Sequence, residues 1–230
     1  MKNSMKFMGL ALALLVAPIL ASAQSRTYNE TGFTGVSLGI SGTLTVKQGS
    51  SYSIVLEGDE DDLDKIEVEV KGDRLVIKTR NNSWSRMGKI TGTVVMPTIE
   101  SLSVSGSGTL KSDGTLNTGD LSLAVSGSGD MEVAISAEDV KMSVSGSGDI
   151  EASGSCEDLD LAISGSGGVQ AKNLQAKDVD AAISGSGEAY INLTGDLEGR
   201  ISGSGDIYYK GNPSSIDSRV SGSGNIQKMR

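Results

Sequence analysis

An all-β solenoid, specifically a right-handed parallel β-helix with coils of about 19 residues, is the fold class this chain predicts. Three observations predict it. A tetrapeptide, Ser-Gly-Ser-Gly, returns seven times; aliphatic residues sit at constant offsets from each copy; and no segment after residue 23 carries a helical period.

The motif begins at Ser105, Ser126, Ser145, Ser164, Ser184, Ser202 and Ser221, with spacings of 21, 19, 19, 20, 18 and 19 residues. Flexible Gly/Ser linkers keep neither such a period nor fixed apolar companions. Here the residue before each motif is Val104, Val125, Val144, Ile163, Ile183, Ile201 or Val220. Two further back stand Leu102, Leu123, Met142, Leu161, Ala181, Gly199 and Ser218. Five after each first serine stand Leu110, Met131, Ile150, Val169, Ala189, Ile207 and Ile226. These offsets share one parity, the signature of strands with one buried face. Carried through the motif, that parity predicts inward glycines and outward serines. A unit of this length buries too few aliphatics to offset the ordering of its own backbone, so the units must stack. A propeller blade needs about twice the period; a coil climbing one strand spacing per turn fits.

Residues 24–100 read as a divergent β section of the same domain, with 101–230 holding the seven repeats. Val36, Leu38 and Ile40 alternate with polar residues, as do Leu44 and Val46, Tyr52, Ile54 and Leu56, Ile66, Val68 and Val70, Leu75 and Ile77, and Val94 and Met96. Ile40-Ser41-Gly42-Thr43-Leu44 is a degenerate copy of the repeat. Gly58 to Lys65 reads as an acidic turn and Asn81 to Lys89 as a polar loop. Terminal units of solenoids are atypical because they close the core. A separate small β-sandwich over 24–100 is the alternative.

Residues 1–23 have the form of a signal peptide: Lys2 and Lys6, an apolar run from Met8 to Leu20 interrupted by Pro18, then Ala21-Ser22-Ala23. No later stretch is apolar and long enough for a membrane-spanning helix. The expectation is an exported protein, periplasmic, outer-membrane associated or extracellular. Its removal would shift the net charge from −9 to −11. That balance argues against nucleic acid and against anionic lipid surfaces as partners. Cys156 is the only cysteine, so no intrachain disulfide forms.

At this point the chain resembles the putative auto-transporter adhesin, head GIN domain family of bacterial exported proteins. The resemblance runs over 31–226. It rests on Phe33-Thr34-Gly35-Val36, on Val46-Lys47-Gln48-Gly49 followed by Ile54-Val55-Leu56-Glu57-Gly58-Asp59, and on Arg74-Leu75-Val76-Ile77. Met96-Pro97 ahead of the first Ser105-Gly106-Ser107-Gly108, and the recurring motif after it, complete it. It implies a β-helical fold and a place at the cell surface or in the periplasm, with no defined ligand or catalytic residues. No outer-membrane barrel pattern follows the repeats, so self-insertion into that membrane is not expected of this chain.

The sequence contains no histidine, which removes His-dependent triads and His-ligated zinc. Parallel β-helices often host polysaccharide-cleaving enzymes that work with carboxylates, so the acids are the residues to weigh. They form two columns. One follows the motif: Asp130, Asp149, Glu188 and Asp206, interrupted by Gly168 and ending in Asn225. The other precedes it by six: Asp120, Asp139, Asp158, Asp178 and Asp196. Regular columns are what repetition makes, whereas a catalytic site breaks regularity. The acids read as turn residues accepting backbone N–H bonds, with a cation-binding stripe as the rival. Neither Ca²⁺-binding nonapeptides nor a phosphate-binding glycine loop matches the spacing. Trp84, the only tryptophan, is either a loop aromatic closing the core or a sugar-stacking platform. Of Tyr208 and Tyr209, one must face inward, leaving the other to join Tyr190 outside.

These observations assign no catalytic, metal or cofactor residue. They favour an exported β-helical binding or structural protein, adhesin-like, with a polysaccharide or other cell-surface component as partner. A carbohydrate-active β-helix enzyme of lyase or hydrolase type, and a purely structural envelope module, are the competing readings.

Overall fold

The computed structural model describes residues 24–80 and 88–229. Two sheets, of 11 and 10 strands, face each other across a core of aliphatic side chains. Each motif-bearing coil places one strand in each sheet. The 10-stranded sheet takes β8 (Ser101–Gly106), β10 (Asp120–Gly127), β12 (Asp139–Gly146), β14 (Asp158–Gly165), β16 (Asp178–Gly185), β18 (Asp196–Gly203) and β20 (Ser215–Gly222). The 11-stranded sheet takes β9 (Thr109–Asn117), β11 (Asp130–Ser136), β13 (Asp149–Ser155), β15 (Gly168–Ala176), β17 (Glu188–Leu193), β19 (Asp206–Gly211) and β21 (Asn225–Lys228). Successive coils pair in parallel and in register, so Val125 sits between Val104 and Val144, and Leu123 between Leu102 and Met142. The predicted inward columns are buried, except in the last coil. The chain is therefore a parallel β-solenoid flattened to two sheets, with coils about 19 residues apart.

The motif is the corner between the sheets, and its two glycines do different work. The second glycine of each copy from Gly108 to Gly205 is buried as expected, and Gly224 in the last coil is half-buried. A Cβ at Gly148 would lie 2.0 Å from the carbonyl oxygen of Gly129 and 2.7 Å from Val125 Cγ1. The first glycine corrects the alternation argument: it does not point into the core. Gly146 has φ 123° and Gly165 φ 126°, and a Cβ at Gly165 would meet the carbonyl oxygen of Gly146 at 2.4 Å. At this corner the missing side chain would point along the stack, into the coil beneath. Only glycine tolerates both that backbone and that approach. The first serines are exposed and directly superposed, Ser126 beside Ser105 and Ser145, as predicted.

The N-terminal strands join the same two sheets but not in chain order. Strands β2 (Gly35–Gly39) and β3 (Gly42–Gln48) make one coil, whose corner at Ile40–Ser41 stacks on the first Ser-Gly-Ser-Gly. Strands β6 (Arg74–Thr79) and β7 (Ile90–Met96) make another, yet it lies on the far side of β2–β3. From Met96 the chain passes over the β2–β3 coil to start β8. Buried Ile99 and the amide of Glu100 on the carbonyl of Thr34 (2.8 Å) hold that crossing. The side chain of Gln48 donates to the carbonyls of Pro97 and Asn117 and accepts the amide of Asn117, tying the link to the stack.

Beyond β6–β7 the pairing turns antiparallel. Strand β5 (Ile66–Lys71) covers β6, while β4 (Ser53–Gly58) and then β1 (Gln24–Tyr28) cover β7. The acidic stretch after Gly58 is a one-turn helix, α1 (Glu60–Leu63), rather than a turn alone. Leu63 is buried, and Asp62 accepts from Lys65 Nζ and from the Gly88 amide, each at 2.7 Å. Those bonds hold the Asp62 carboxyl below its usual range. Residues 1–23 and Trp84 lie outside the described residues.

Candidate functional site

The outer face of the 10-stranded sheet is organised in four parallel lanes, each one residue wide, because every coil repeats the same outward positions. The first lane is Asp120, Asp139, Asp158, Asp178 and Asp196. The second is Ser122, Lys141, Asp160, Asp180, Glu198 and Asp217. The third is Ala124, Ser143, Ala162, Ala182, Arg200 and Arg219. The fourth is the line of motif serines from Ser126 to Ser221. The small third lane leaves a trough of about 780 Å³ floored by Ser143, Ala162 and Ala182. The serines Ser145, Ser164 and Ser184 edge it on one side, and Arg200 and Arg219 stand at one end. Smaller acidic grooves of about 380 and 330 Å³ run beside it between the first two lanes.

Charge is distributed unevenly along these lanes. Arg200 is held by Asp180 at 2.9 Å and by Glu198, and Arg219 by Asp217 at 3.2 Å, so both guanidiniums are neutralised locally. Asp178 accepts the Asp196 amide at 2.6 Å, which lowers its carboxyl below the usual range, helped by Lys177. Asp139 has no such partner. Partial burial raises its carboxyl, with Asp120, Asp158 and Glu138 adding to the rise. One column thus contains an acid bonded to a backbone amide, as read for turn acids, and an acid whose carboxyl is raised by desolvation and its stacked neighbours.

The other acid column, on the 11-stranded sheet, is in register from Asp130 to Asn225. Asp206 accepts the Asn225 amide at 2.8 Å, again as a turn acid. Gly168 makes room for its neighbour: a Cβ there would lie 2.9 Å from Asp149 Oδ1. Among the described residues no three acids or cysteine converge on a point that would hold a metal ion. The acids are arranged as lines.

Tyr190 and Tyr208 stack on that same outer face, centroids 4.8 Å apart and planes at 15°. Each hydroxyl donates to an acid of its own coil, Glu188 and Asp206. One face of each ring is spent on the other, and the ladder neighbours on the outer sides are Gln170 and Gln227. Tyr209 packs against the core, as alternation requires. Cys156 is buried, and burial pushes its thiol up to about 12, so it is an inert packing residue. The trough has a sequence signal of its own: two residues before each motif the side chain is small from Ser103 to Ala182 and becomes arginine at Arg200 and Arg219.

Several solved structures share this architecture. A putative adhesin from Bacteroides fragilis is 24% identical, with a TM-score of 0.86 over 90% of this chain and 97% of that one. A putative lipid binding protein from Parabacteroides distasonis is 23% identical, with a TM-score of 0.74 over 92% and 98%. A putative adhesin from the same organism is 20% identical, with a TM-score of 0.71 over 91% and 98%. No curated protein matches the chain. At these identities the structures speak for the fold. The family model is more specific: it matches residues 32–213, and the chain belongs to the putative auto-transporter adhesin, head GIN domain family.

Proposed function

We propose that this chain is an exported, non-enzymatic binding module of the cell envelope or surface. In this reading residues 24–230 act as one continuous domain after a signal peptide at 1–23. Its ligand is a neutral carbohydrate chain, which lies along the outer face of the 10-stranded sheet. The observation that carries this reading is the trough over Ser143, Ala162 and Ala182, which the strand register sets between the line of motif serines and a lane holding Lys141, Asp160 and Asp180. A polymer of hydroxyl-bearing rings meets hydrogen-bond partners on both sides and small side chains beneath. Each is repeated at the strand spacing of about 4.8 Å. Acidic polymers and anionic lipid headgroups would meet the carboxylate lanes and a net charge of −9, and are disfavoured. The adhesin names of the related structures are consistent with this assignment.

The test is affinity electrophoresis and calorimetry against a panel of neutral, acidic and basic polysaccharides. Retardation by a neutral glycan, abolished when Ala162→Arg and Ala182→Arg fill the trough without lowering the melting temperature, is the expected result. Unchanged binding by the filled variant would remove the trough as the site. Fractionating cells into periplasm, outer membrane and medium tests the export half of the reading.

A further inference from the structure

The last coil is left open in a particular way. Strand β20 pairs only with β18 on one side, and among the described residues nothing covers its other edge. Its inward positions, Ile216 and Val220, continue the columns of buried Leu197 and Ile201, but each is 44% exposed. No proline, bulge or inward charge interrupts the strand, the usual devices that protect such an edge.

The edge is also self-complementary. Read from Ser218 in both directions, the strand is Ser215-Ile216-Asp217-Ser218-Arg219-Val220-Ser221. Two copies paired antiparallel about a two-fold axis at Ser218 would set Asp217 against Arg219 of the second copy, twice. The same register sets Ile216 against Val220 on the inner face and serine against serine at the ends. Directly opposed residues in an antiparallel pair share a face, so the apolar pair extends the core and the charges stay outside. Shifting the register by two residues loses the charge pairs. Shifting it by one turns the apolar residues outward.

The opposite sheet is compatible with the same axis. Ile226 of β21 reaches across the core: its Cδ1 is 2.6 Å from where a Cβ of Gly199 would be, and Gly199 is the ladder neighbour of Ser218. The axis therefore passes close to Ile226, which would meet its own copy. Lys228, an inward position by parity, takes its ammonium to Asn212 at 3.2 Å, at the rim of the coil.

We propose that the open end of the solenoid is a two-fold interface with a second copy of this chain, joined tail to tail through β20. The C-terminal coils of the two copies would then form continuous 20-strand and 22-strand sheets, twice the present 10 and 11. The trough on the outer face would run across the axis. An eight-residue strand is ~26 Å long, and facing sheets are ~10 Å apart with side chains outside them. Each end thus offers on the order of 500 Å², near the lower bound for a specific interface. A dimer that dissociates on dilution is expected.

Light scattering on the purified protein across a dilution series tests this. The wild type should pass from monomer to dimer as concentration rises. Asp217→Arg and Arg219→Asp each create two like-charge contacts across the axis and should weaken the dimer by ~10-fold or more. The double variant D217R/R219D restores both pairs and should recover the wild-type constant. Both side chains are exposed in the monomer, at 58% and 70%, so melting in the dilute limit should not move. Val220→Asp, which charges the shared core, should leave only monomer. A wild type that stays monomeric would overturn the proposal, as would single variants that dimerise normally or open-ended polymers indifferent to the charge swap.

Discussion

At the N-terminal end of the stack the β6–β7 coil is covered by β5 in one sheet and by β4 and β1 in the other, all running antiparallel. At the C-terminal end β20 and β21 continue the parallel repeat to the last strand, and Ile216 and Val220 stay half-exposed. Between those ends every coil shares hydrogen bonds and core with the coil on each side. The difference shows how a repeat protein divides its labour. Identical coils supply a core that any number of neighbours can extend, while closing that core takes sequence that departs from the repeat. Phe33 packed on Tyr52 (centroids 4.8 Å apart), Leu63 of α1 and the antiparallel strands do that at the N-terminal end, and no described residue does it for β20.

The largest expected effect contrasts the middle of the stack with its open end. Ile163→Asp puts an unpaired carboxylate among aliphatics and should cost on the order of 3–5 kcal/mol. Val220→Asp occupies the same column in the last coil, where water reaches it, and should cost less than about 1 kcal/mol in the dilute monomer. Thermal melting of the two variants reads this directly. Equal losses would mean that the last coil is as enclosed as the middle.

The corner glycines sharpen the same contrast. Gly165→Val combines φ 126° with a Cβ 2.4 Å from the carbonyl oxygen of Gly146 in the preceding coil, and several kcal/mol of strain and displaced backbone should follow. Gly72, in the turn between β5 and β6, has φ 63° with nothing within 4 Å of an added Cβ. Gly72→Ala should therefore cost only ~1–2 kcal/mol, the left-handed backbone alone. Denaturant midpoints of both variants test the pair.

Leu63→Ala removes a buried side chain from the N-terminal closure and should cost ~2–3 kcal/mol. Hydrogen exchange should show the loss concentrated in β4–β7, because neighbouring coils couple only through their interfaces. In the dilute wild-type monomer β20 and β21 should exchange fastest of the repeat strands. Uniform protection along the stack would contradict the picture of one closed and one open end.

The smallest effect lies within the first acid lane. Asp178 has a depressed carboxyl, so its contribution is present above the ordinary value near 3.8 and is lost as pH falls through the lower folded value. Asp139 has a raised carboxyl, so its ionised form opposes folding at neutral pH. That opposition is relieved as pH falls through the raised folded value toward 3.8. Asp139→Asn should raise the neutral-pH melting temperature slightly and Asp178→Asn should lower it. Below the carboxylate range both differences should vanish.

Much of the candidate site was legible because outward parity is as regular as inward parity. The serine line, both acid columns and the division of Tyr208 from Tyr209 follow from counting residues from the motif. The role of the first glycine was not legible, since alternation assigns a face and a corner abandons faces. Nor were the partners of individual acids: Asp139 and Asp178 occupy equivalent positions, and only the turn through Gly195 in the following coil brings an amide, that of Asp196, to one of them.

By itself the sequence determined that this is a stack of parallel coils, which residues form its core, and that the stack is acidic outside. Those properties depend on period and parity, and each repeat states them again. Tertiary structure alone decided that the coil is flattened into two sheets, that β2–β3 lies between β6–β7 and β8–β9, and that, among the described residues, antiparallel strands cover the β6–β7 end while nothing covers β20. These depend on which edges meet across long separations in the chain. A strand edge offers the same backbone donors and acceptors to any partner, so side-chain pattern along one segment does not say which edge it will join.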